Sequence, residues 1–426
     1  MHAQELLRLL RAGRFDEALR AAYGAQPPGE VYGRIESVVK GFCERFDPEG
    51  TRELMVFSAP GRTELGGNHT DHQGGWALAG SVDMDTLACV SRGGGPVIRI
   101  HSKGHNPVEL DVGDTTVRDS ERSRSAALVR GTAARIGTLG YAVGGFDAYT
   151  ETSVLRGSGL SSSAAFEVLV GRIMSELFCE GALDAAELAR IGQYAENVYY
   201  GKPCGLLDQL ACATGGVIAV DFADLECLAV RRCSVDLARA GYALVVIDSG
   251  ANHADLDSEY AAIPREMGQV ARCFGKERLH DVDETLFQRE RARVLAACGE
   301  RPALRAEHYF AETKRAAAQY EALERGDFAA YLTLVRASGA SSEENLQNVS
   351  VDRPNGDRLL RTIHKARSLA GETGAARVHG GGFAGTAQAY VPLARLDAFV
   401  RGMETEFGAG CCHVVQIRNV GAVRLI

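Results

Sequence analysis

The stretch L-R-G-S-G-L-S-S-S-A-A-F-E, Leu155 to Glu167, combines glycines, hydroxyls and the start of an apolar-periodic segment. Gly157 and Gly159 permit tight turns and close approach of backbone to an anion. The segment A-A-F-E-V-L-V-G-R-I-M that follows is a good helix candidate. A helix start leaves free N–H groups and a positive dipole end, a place for phosphate. Ser161, Ser162 and Ser163 add hydroxyls for phosphate or a magnesium ion. A capped turn would need the same residues, and the pattern is neither Walker A nor G-x-G-x-x-G.

Three further stretches carry polar groups. A-P-G-R-T-E-L-G-G-N-H-T-D-H-Q-G-G, Ala59 to Gly75, follows a strand signal and crowds Arg62, Asn68, His69, Asp71 and His72 into what reads as a loop. That inventory of donors and acceptors suits a polyhydroxylated ligand such as a sugar. His69, Asp71 and His72 also have the types of a metal site, though no further ligand cluster accompanies them. A-E-N-V-Y-Y-G-K-P-C-G-L-L-D-Q-L, Ala195 to Leu210, places Glu196 near the end of one helix and Asp208 near the start of another. Asp208 could accept a proton as general base, or simply cap its helix. Glu196 could hold a hard cation. R-V-H-G-G-G-F-A-G-T-A-Q-A-Y-V, Arg377 to Val391, has four glycines, Gly380, Gly381, Gly382 and Gly385, ahead of a strand. It offers a second wall for a ligand, or a flexible hairpin.

The elements that must position these groups are visible as periodicities. Residues 4–23 have apolar positions at helical spacing, and a second helix is expected from about Val31 to Phe46, making a helical lead-in. A strand is expected at Leu54–Ser58, several short β-runs between Trp76 and Val112, and a helix over Ser123–Leu139. Phe146–Ser153 alternates like a half-buried strand and leads into the glycine-serine stretch. Helices follow at Ala185–Tyr200 and Leu206–Ala213, and Tyr242–Ser249 is a buried-strand run. Beyond it the chain reads mostly as helix to Glu372, then as a glycine loop and strands. A composition shift near Arg232–Gly241 marks a domain boundary.

At 426 residues the chain has room for two domains. A net charge of −8 argues against a general nucleic-acid binder. No apolar run is long enough to span a bilayer, and the first residues lack a signal-peptide core, so a cytoplasmic protein without membrane contact is expected. The eleven cysteines lack C-x-x-C spacing and read as reduced thiols.

Together and in this order the motifs resemble those of the GHMP kinases, most closely the galactokinase branch. The pattern G-R-V-N-L-I-G-E-H-T-D-Y is similar to G-R-T-E-L-G-G-N-H-T-D-H here, and G-x-G-L-S-S-S-A-A is matched by Gly157–Ala165. A-E, P-C-G and D-Q are matched at Ala195, Glu196, Pro203, Cys204, Gly205, Asp208 and Gln209. G-G-G-F-G-G-C is approached by Gly380–Thr386, and S-E-Y is found at Ser258–Tyr260. The resemblance covers residues 53 to 426. It implies an α+β, two-domain GHMP kinase fold: a lead-in over 1–50, a ribosomal-S5-like N-terminal domain over 51–235 and a ferredoxin-like C-terminal domain over 236–426. It implies ATP and Mg2+ as cofactors, a small-molecule sugar as partner, and a monomer or weak homo-oligomer.

The same resemblance assigns roles. Asp208 is the expected catalytic base on the anomeric hydroxyl of galactose, and Arg62 the arginine that keeps it ionised. Gly157, Ser158, Gly159, Ser161, Ser162 and Ser163 are the expected ATP phosphate cradle. Ser163 and Glu196 are the expected magnesium pair. Asn68, His69, Asp71, Gly205, Tyr260, Gly381 and Gly382 are the expected sugar contacts. Departures lie at the substrate end. Asn68 stands where the family has a glutamate, and Glu64 where it has an asparagine. Arg156 replaces an apolar residue and Ala384 a glycine. Loss of the acid at 68 raises galacturonate or galactosamine as alternative substrates, and a non-catalytic sugar and ATP sensor is the alternative class.

Overall fold

The computed structural model describes residues 1–24, 29–154, 159–251 and 256–426. Three helices lead the chain: α1 (Ala3–Arg11), α2 (Asp16–Tyr23) and α3 (Gly29–Phe46). The helical stretch expected over 4–23 is broken by a turn at Gly13, whose φ of +72° suits glycine. There follow β1 (Met55–Gly66), β2 (Trp76–Arg92), β3 (Val97–Ser102), β4 (Val108–Asp111), α4 (Ser125–Thr138), β5 (Phe146–Thr152), α5 (Ser162–Phe178), α6 (Ala185–Tyr194), α7 (Leu207–Thr214), β6 (Val217–Asp221) and β7 (Ala229–Cys233). In place of several short runs after Trp76, β2 is one strand of 17 residues. It is long because, beside β1 on one edge, it serves two partners on the other: its second half pairs with β5 and its first half with β6. β3 and β5 run parallel. β1 is also longer than expected, so Arg62 and Glu64 stand on a strand, not in a loop.

The second half begins with β8 (Tyr242–Ala251) and a helical run, α8 (Asp257–Cys273), α9 (Glu284–Arg289), α10 (Arg291–Cys298), α11 (Glu300–Glu324) and α12 (Phe328–Ser341). It continues with α13 (Arg358–Ala370), β9 (Ala375–Val378), β10 (Gly385–Pro392), α14 (Leu396–Phe407), β11 (Cys412–Val415) and β12 (Val423–Arg424). The antiparallel order β11-β8-β10-β9, with α13 and α14 as the crossing helices, is a ferredoxin-like β-α-β-β-α-β unit. The helices from α8 to α12 are inserted in its first crossover. β12 leaves this unit and pairs with β1 in the first sheet.

Side-chain alternation along β2 explains the lead-in. Successive residues of a strand face opposite sides of the sheet. Ala88 and Val90 join Phe57 in the core under Val168 and Leu169 of α5. Leu87 and Cys89 point the other way, with Val56, and α3 covers them with Ile35, Val38 and Phe42. Each buried Leu or Phe contributes about 1.5–3 kcal/mol.

A buried polar cluster ties the same layers together. Asp85 of β2 accepts hydrogen bonds from Tyr23 and Ser58, and from Arg418 at 3.2 Å. Arg34 pairs with its other oxygen at 2.7 Å. Burial would raise the Asp85 carboxyl, but Arg34 and Arg418 more than offset it, and it lies below its ordinary value.

Candidate active site

Arg62 sits on β1, and Asp208 lies in the first turn of α7. The Arg62 Nε donates to Asp208 Oδ1 at 2.6 Å, and its Nη2 donates to Oδ2. The remaining nitrogen, Nη1, donates to the Gly159 carbonyl. Ser161 Oγ adds a hydrogen bond to Asp208 Oδ2 at 2.7 Å. Burial pushes the Asp208 carboxyl up, but the Arg62 guanidinium and the Ser161 hydroxyl more than cancel this, and the group is held below the usual carboxylate range. Its side chain is still 35% exposed, against 12% for Arg62, so the carboxylate faces an opening.

That opening is a pocket of about 190 Å³. Arg62, Glu64, His69, Asp71, Gly205 and Asp208 line it, with Asn68 and Gly381 in its far wall. His69 Nε2 donates to the Gly381 carbonyl at 3.0 Å, the tautomer that leaves Nδ1 as an acceptor. Burial lowers the His69 imidazole, which keeps it neutral. The expected Tyr260 and Gly382 do not line the pocket but stand behind its wall. Tyr260 Oη donates to the Gly382 carbonyl at 2.8 Å, and the Tyr260 ring packs edge-on against Phe383. Gly205 lies close to Asp71: a Cβ there would be 2.9 Å from an Asp71 carboxylate oxygen, which would have to turn aside.

A larger cleft of about 420 Å³ opens on the other side of the first turn of α5. Ser162, Ser163 and Phe166 line it, with Ser102, Thr150 and Tyr200 opposite. Ser161 caps the helix with a φ of +57° and turns its hydroxyl to Asp208 instead of this cleft. The first turn of α5 therefore separates the two cavities. The expected Gly157 and Ser158 lie outside the described residues, as does Arg156.

Glu196 lies in a π-helical turn, Ala195–Tyr200, that continues α6. Its Oε1 is 3.5 Å from Ser163 Oγ and 3.3 Å from Lys202 Nζ. Gln209 Nε2 donates at 3.0 Å both to Glu196 Oε2 and to Glu167 Oε2. Burial and the nearby Glu196 push the Glu167 carboxyl well above its ordinary value. Ser163 lines the cleft and Glu196 is buried beside it, so the hydroxyl and the carboxylate form an oxygen donor set of the kind that suits magnesium completed by substrate phosphates.

Family models match two parts of the chain: residues 127–216 match the GHMP kinases N terminal domain, and residues 40–92 match the galactokinase galactose-binding signature. A galactokinase of Streptomyces coelicolor is 31% identical over 97% of this chain and 99% of its own length. The chain belongs to the galactokinases, within the GHMP kinase family. Among solved structures, the galactokinase of Lactococcus lactis complexed with galactose matches with a TM-score of 0.77 and 26% identity, over 90% of this chain and 98% of that one. The mevalonate kinase of Methanococcus jannaschii, 12% identical, shares the fold with a TM-score of 0.61 over 87% of this chain and all of its own.

In this galactokinase site the acid expected to be lost at position 68 is instead relocated. Glu64 lines the same pocket as Asn68, so of the two readings of these departures, an acid lost at 68 or an acid moved to 64, the geometry fits the second. Sequence alone does not place Glu64 in the site, because its segment has the composition of a loop. On a strand, alternation places it on the same face as Arg62. Lys202, Glu167 and Arg377 are likewise additions from the structure. Arg377 reaches Glu64 at 2.6 Å from 313 residues away, and no local pattern signals that.

Proposed function

We propose that this chain transfers the γ-phosphoryl group of ATP to the anomeric hydroxyl of D-galactose, giving galactose 1-phosphate and ADP. The observation that carries the reading is the Arg62–Asp208 pair, which lines the small polar pocket and is tied through Ser161 to the first turn of α5, whose Ser162 and Ser163 line the larger cleft. Membership of the galactokinase family supports the sugar and the nucleotide.

In this reading Asp208 is the general base. Its depressed pKa keeps it ionised at neutral pH, ready to accept the anomeric proton. As the proton leaves, the sugar oxygen forms a bond to the γ-phosphorus, and the bond from that phosphorus to the bridging oxygen breaks, releasing ADP. Arg62 orients the carboxylate and adds positive charge beside the transferring group. His69, Asp71 and the Gly381 wall orient the sugar. Ser162, Ser163 and the α5 N-terminus face the nucleotide phosphates, with Gly157 and Ser158 assigned there from the motif. Ser163 and Glu196 would hold magnesium, which when bound neutralises phosphate charge. The division at 1–50, 51–235 and 236–426 remains our proposal for domain organisation, with β12 returning to the first unit.

The test is ADP release by the purified protein with Mg2+ against galactose, galacturonate, galactosamine, glucose and mevalonate. Turnover selective for galactose is expected. Turnover of galacturonate alone would keep the fold and overturn the substrate. Sugar binding without turnover would overturn the enzyme reading.

A further inference from the structure

Glu64 and Asn68 face the same pocket, yet they differ in what they have left to offer a ligand. Asn68 is fully buried. Its Nδ2 donates to Glu64 Oε1 at 3.0 Å and to the Gly380 carbonyl at 2.7 Å. Its Oδ1 accepts from Asn348 Nδ2 at 2.8 Å. Both amide hydrogens are therefore used, and the oxygen is covered. Its backbone is held too, since His308 Nε2 donates to the Asn68 carbonyl at 2.9 Å. A side chain so engaged is a strut joining β1 to the glycine wall.

The Glu64 carboxylate is divided. Oε1 takes the Arg377 guanidinium at 2.6 Å and the short Asn68 contact. Among the described residues, Oε2 takes only a 3.4 Å contact from the same amide. The side chain is 15% exposed, whereas Arg377 behind it is wholly buried. Arg377 and Asn68 together fix the rotamer and leave one oxygen for the pocket. Alternation puts Glu64 on the Arg62 side of β1, with the two backbone positions about 6.4–6.8 Å apart, twice the strand rise. Glu64 and Asp208 line the same pocket, so a sugar whose anomeric hydroxyl is at Asp208 has its remaining hydroxyls in the space that Glu64 also lines.

We propose that Glu64 Oε2 is the group that reads a galactose hydroxyl remote from the anomeric carbon, and that Asn68 is a positioning residue that holds Glu64 and the Gly380–Gly381 wall without touching the sugar. This rests on the galactokinase reading above. Burial, only partly offset by Arg377 and Arg62, raises this carboxyl to about 7, so the comparison below is made above that pH. There the ionised carboxylate only accepts, demands a hydroxyl hydrogen and repels an acceptor in that place. Selectivity of this kind is large, because the site loses its partner as well as gaining a poor one.

The experiment compares kcat/KM for galactose with its 3-, 4- and 6-fluoro-deoxy analogues, in wild type, Glu64→Gln, Glu64→Asp and Asn68→Ala. Fluorine accepts but does not donate. In wild type one position should carry a penalty of about 100-fold or more, as expected when a site's hydrogen-bonding group loses its partner. In Glu64→Gln, Nε2 replaces Oε2 while Oε1 keeps Arg377, and the same penalty should shrink at least about tenfold. In Glu64→Asp the oxygen is withdrawn but the Arg377 partner is kept. Galactose should then lose activity while the matching fluoro-sugar does not, which serves if the glutamine variant fails to fold. Asn68→Ala should weaken all four sugars in parallel. Penalties unchanged in both Glu64 variants, or relieved by Asn68→Ala alone, overturn the proposal. A wild type that does not turn over galactose overturns instead the reading on which it rests.

Discussion

Arg62 grips both oxygens of Asp208, and Ser161 adds a hydroxyl to one of them. The carboxylate is therefore held ionised by its neighbours and lines the small polar pocket, as the proposed base requires. Asp208→Asn keeps the shape and removes the proton acceptor. We expect kcat to fall about 10²–10⁴-fold, the usual worth of a positioned base, with little change in binding of galactose or ATP. Coupled ADP assays and calorimetry with each ligand check this. Turnover near wild type would remove Asp208 from the chemistry.

Arg62→Lys tests the electrostatic half of the pair. A lysine is a point charge and cannot serve both oxygens and the Gly159 carbonyl as a planar guanidinium does. With less compensation, burial dominates and the Asp208 pKa rises from its depressed value. A base that titrates higher loses its ionised form at higher pH. The acid limb of the kcat profile should thus move toward neutrality, along with a loss of kcat. A loss of kcat with an unmoved limb would assign Arg62 to the phosphoryl group alone.

Glu196→Gln addresses the magnesium assignment. The amide keeps the hydrogen-bonding size but removes a charge from the Ser163–Glu196 donor set. The Mg2+ concentration for half-maximal activity should rise about tenfold, in line with the dependence of cation sites on ligand charge. Titration of activity with Mg2+ at saturating ATP and galactose is the measurement. An unchanged requirement would leave Glu196 as a partner of Lys202 and Gln209 only.

The chemistry is more legible in the sequence than the geometry. Asp208, Arg62, the serine cluster and Glu196 stand out because they fall in motifs that resemble those of the galactokinases, and the structure joins Arg62 and Ser161 to Asp208 and brings Ser163 to Glu196. The lead-in is legible as amphipathic helices, but not as the cover of Leu87 and Cys89. Those residues sit beside Ala88 and Val90 in an unbroken apolar run, and only the sheet sorts them to opposite faces. Glu64 and Asn68 are visible as departures, but their roles depend on partners far along the chain. Arg377, Asn348 and Gly380 together decide which of the two is sealed and which faces ligand.

The Asp85 cluster predicts a structural role for the lead-in that is separable from catalysis. Tyr23→Phe removes one hydrogen bond to a buried carboxylate that keeps Ser58, Arg34 and Arg418. The cost should be about 1–3 kcal/mol. Asp85→Ala leaves Arg418 buried without its carboxylate and should cost about 3–5 kcal/mol. Thermal unfolding should rank the two in that order. A neutral Asp85→Ala would show that the cluster contributes no net stability.

Glu64 gives a pH signature independent of activity. Burial pushes its carboxyl from an ordinary 4.5 up to about 7, because Arg377 and Arg62 only partly compensate. The folded protein then holds a proton that the unfolded chain has already released between those two values. Stability must fall as pH rises through that window and level off above it. The full contribution is at most about 3.5 kcal/mol, since each tenfold change in proton affinity is worth about 1.4 kcal/mol. Glu64→Gln has no such proton. Its loss of the Arg377 ion pair shifts stability by an amount that grows as the wild-type carboxyl ionises, but this attraction is already contained in the wild-type pKa. All other groups titrate alike in both proteins. The melting temperature of the variant relative to wild type should therefore improve between pH 5 and pH 8. A difference that stays constant across that range would mean that Glu64 is ionised throughout and that Arg377 compensates its burial in full.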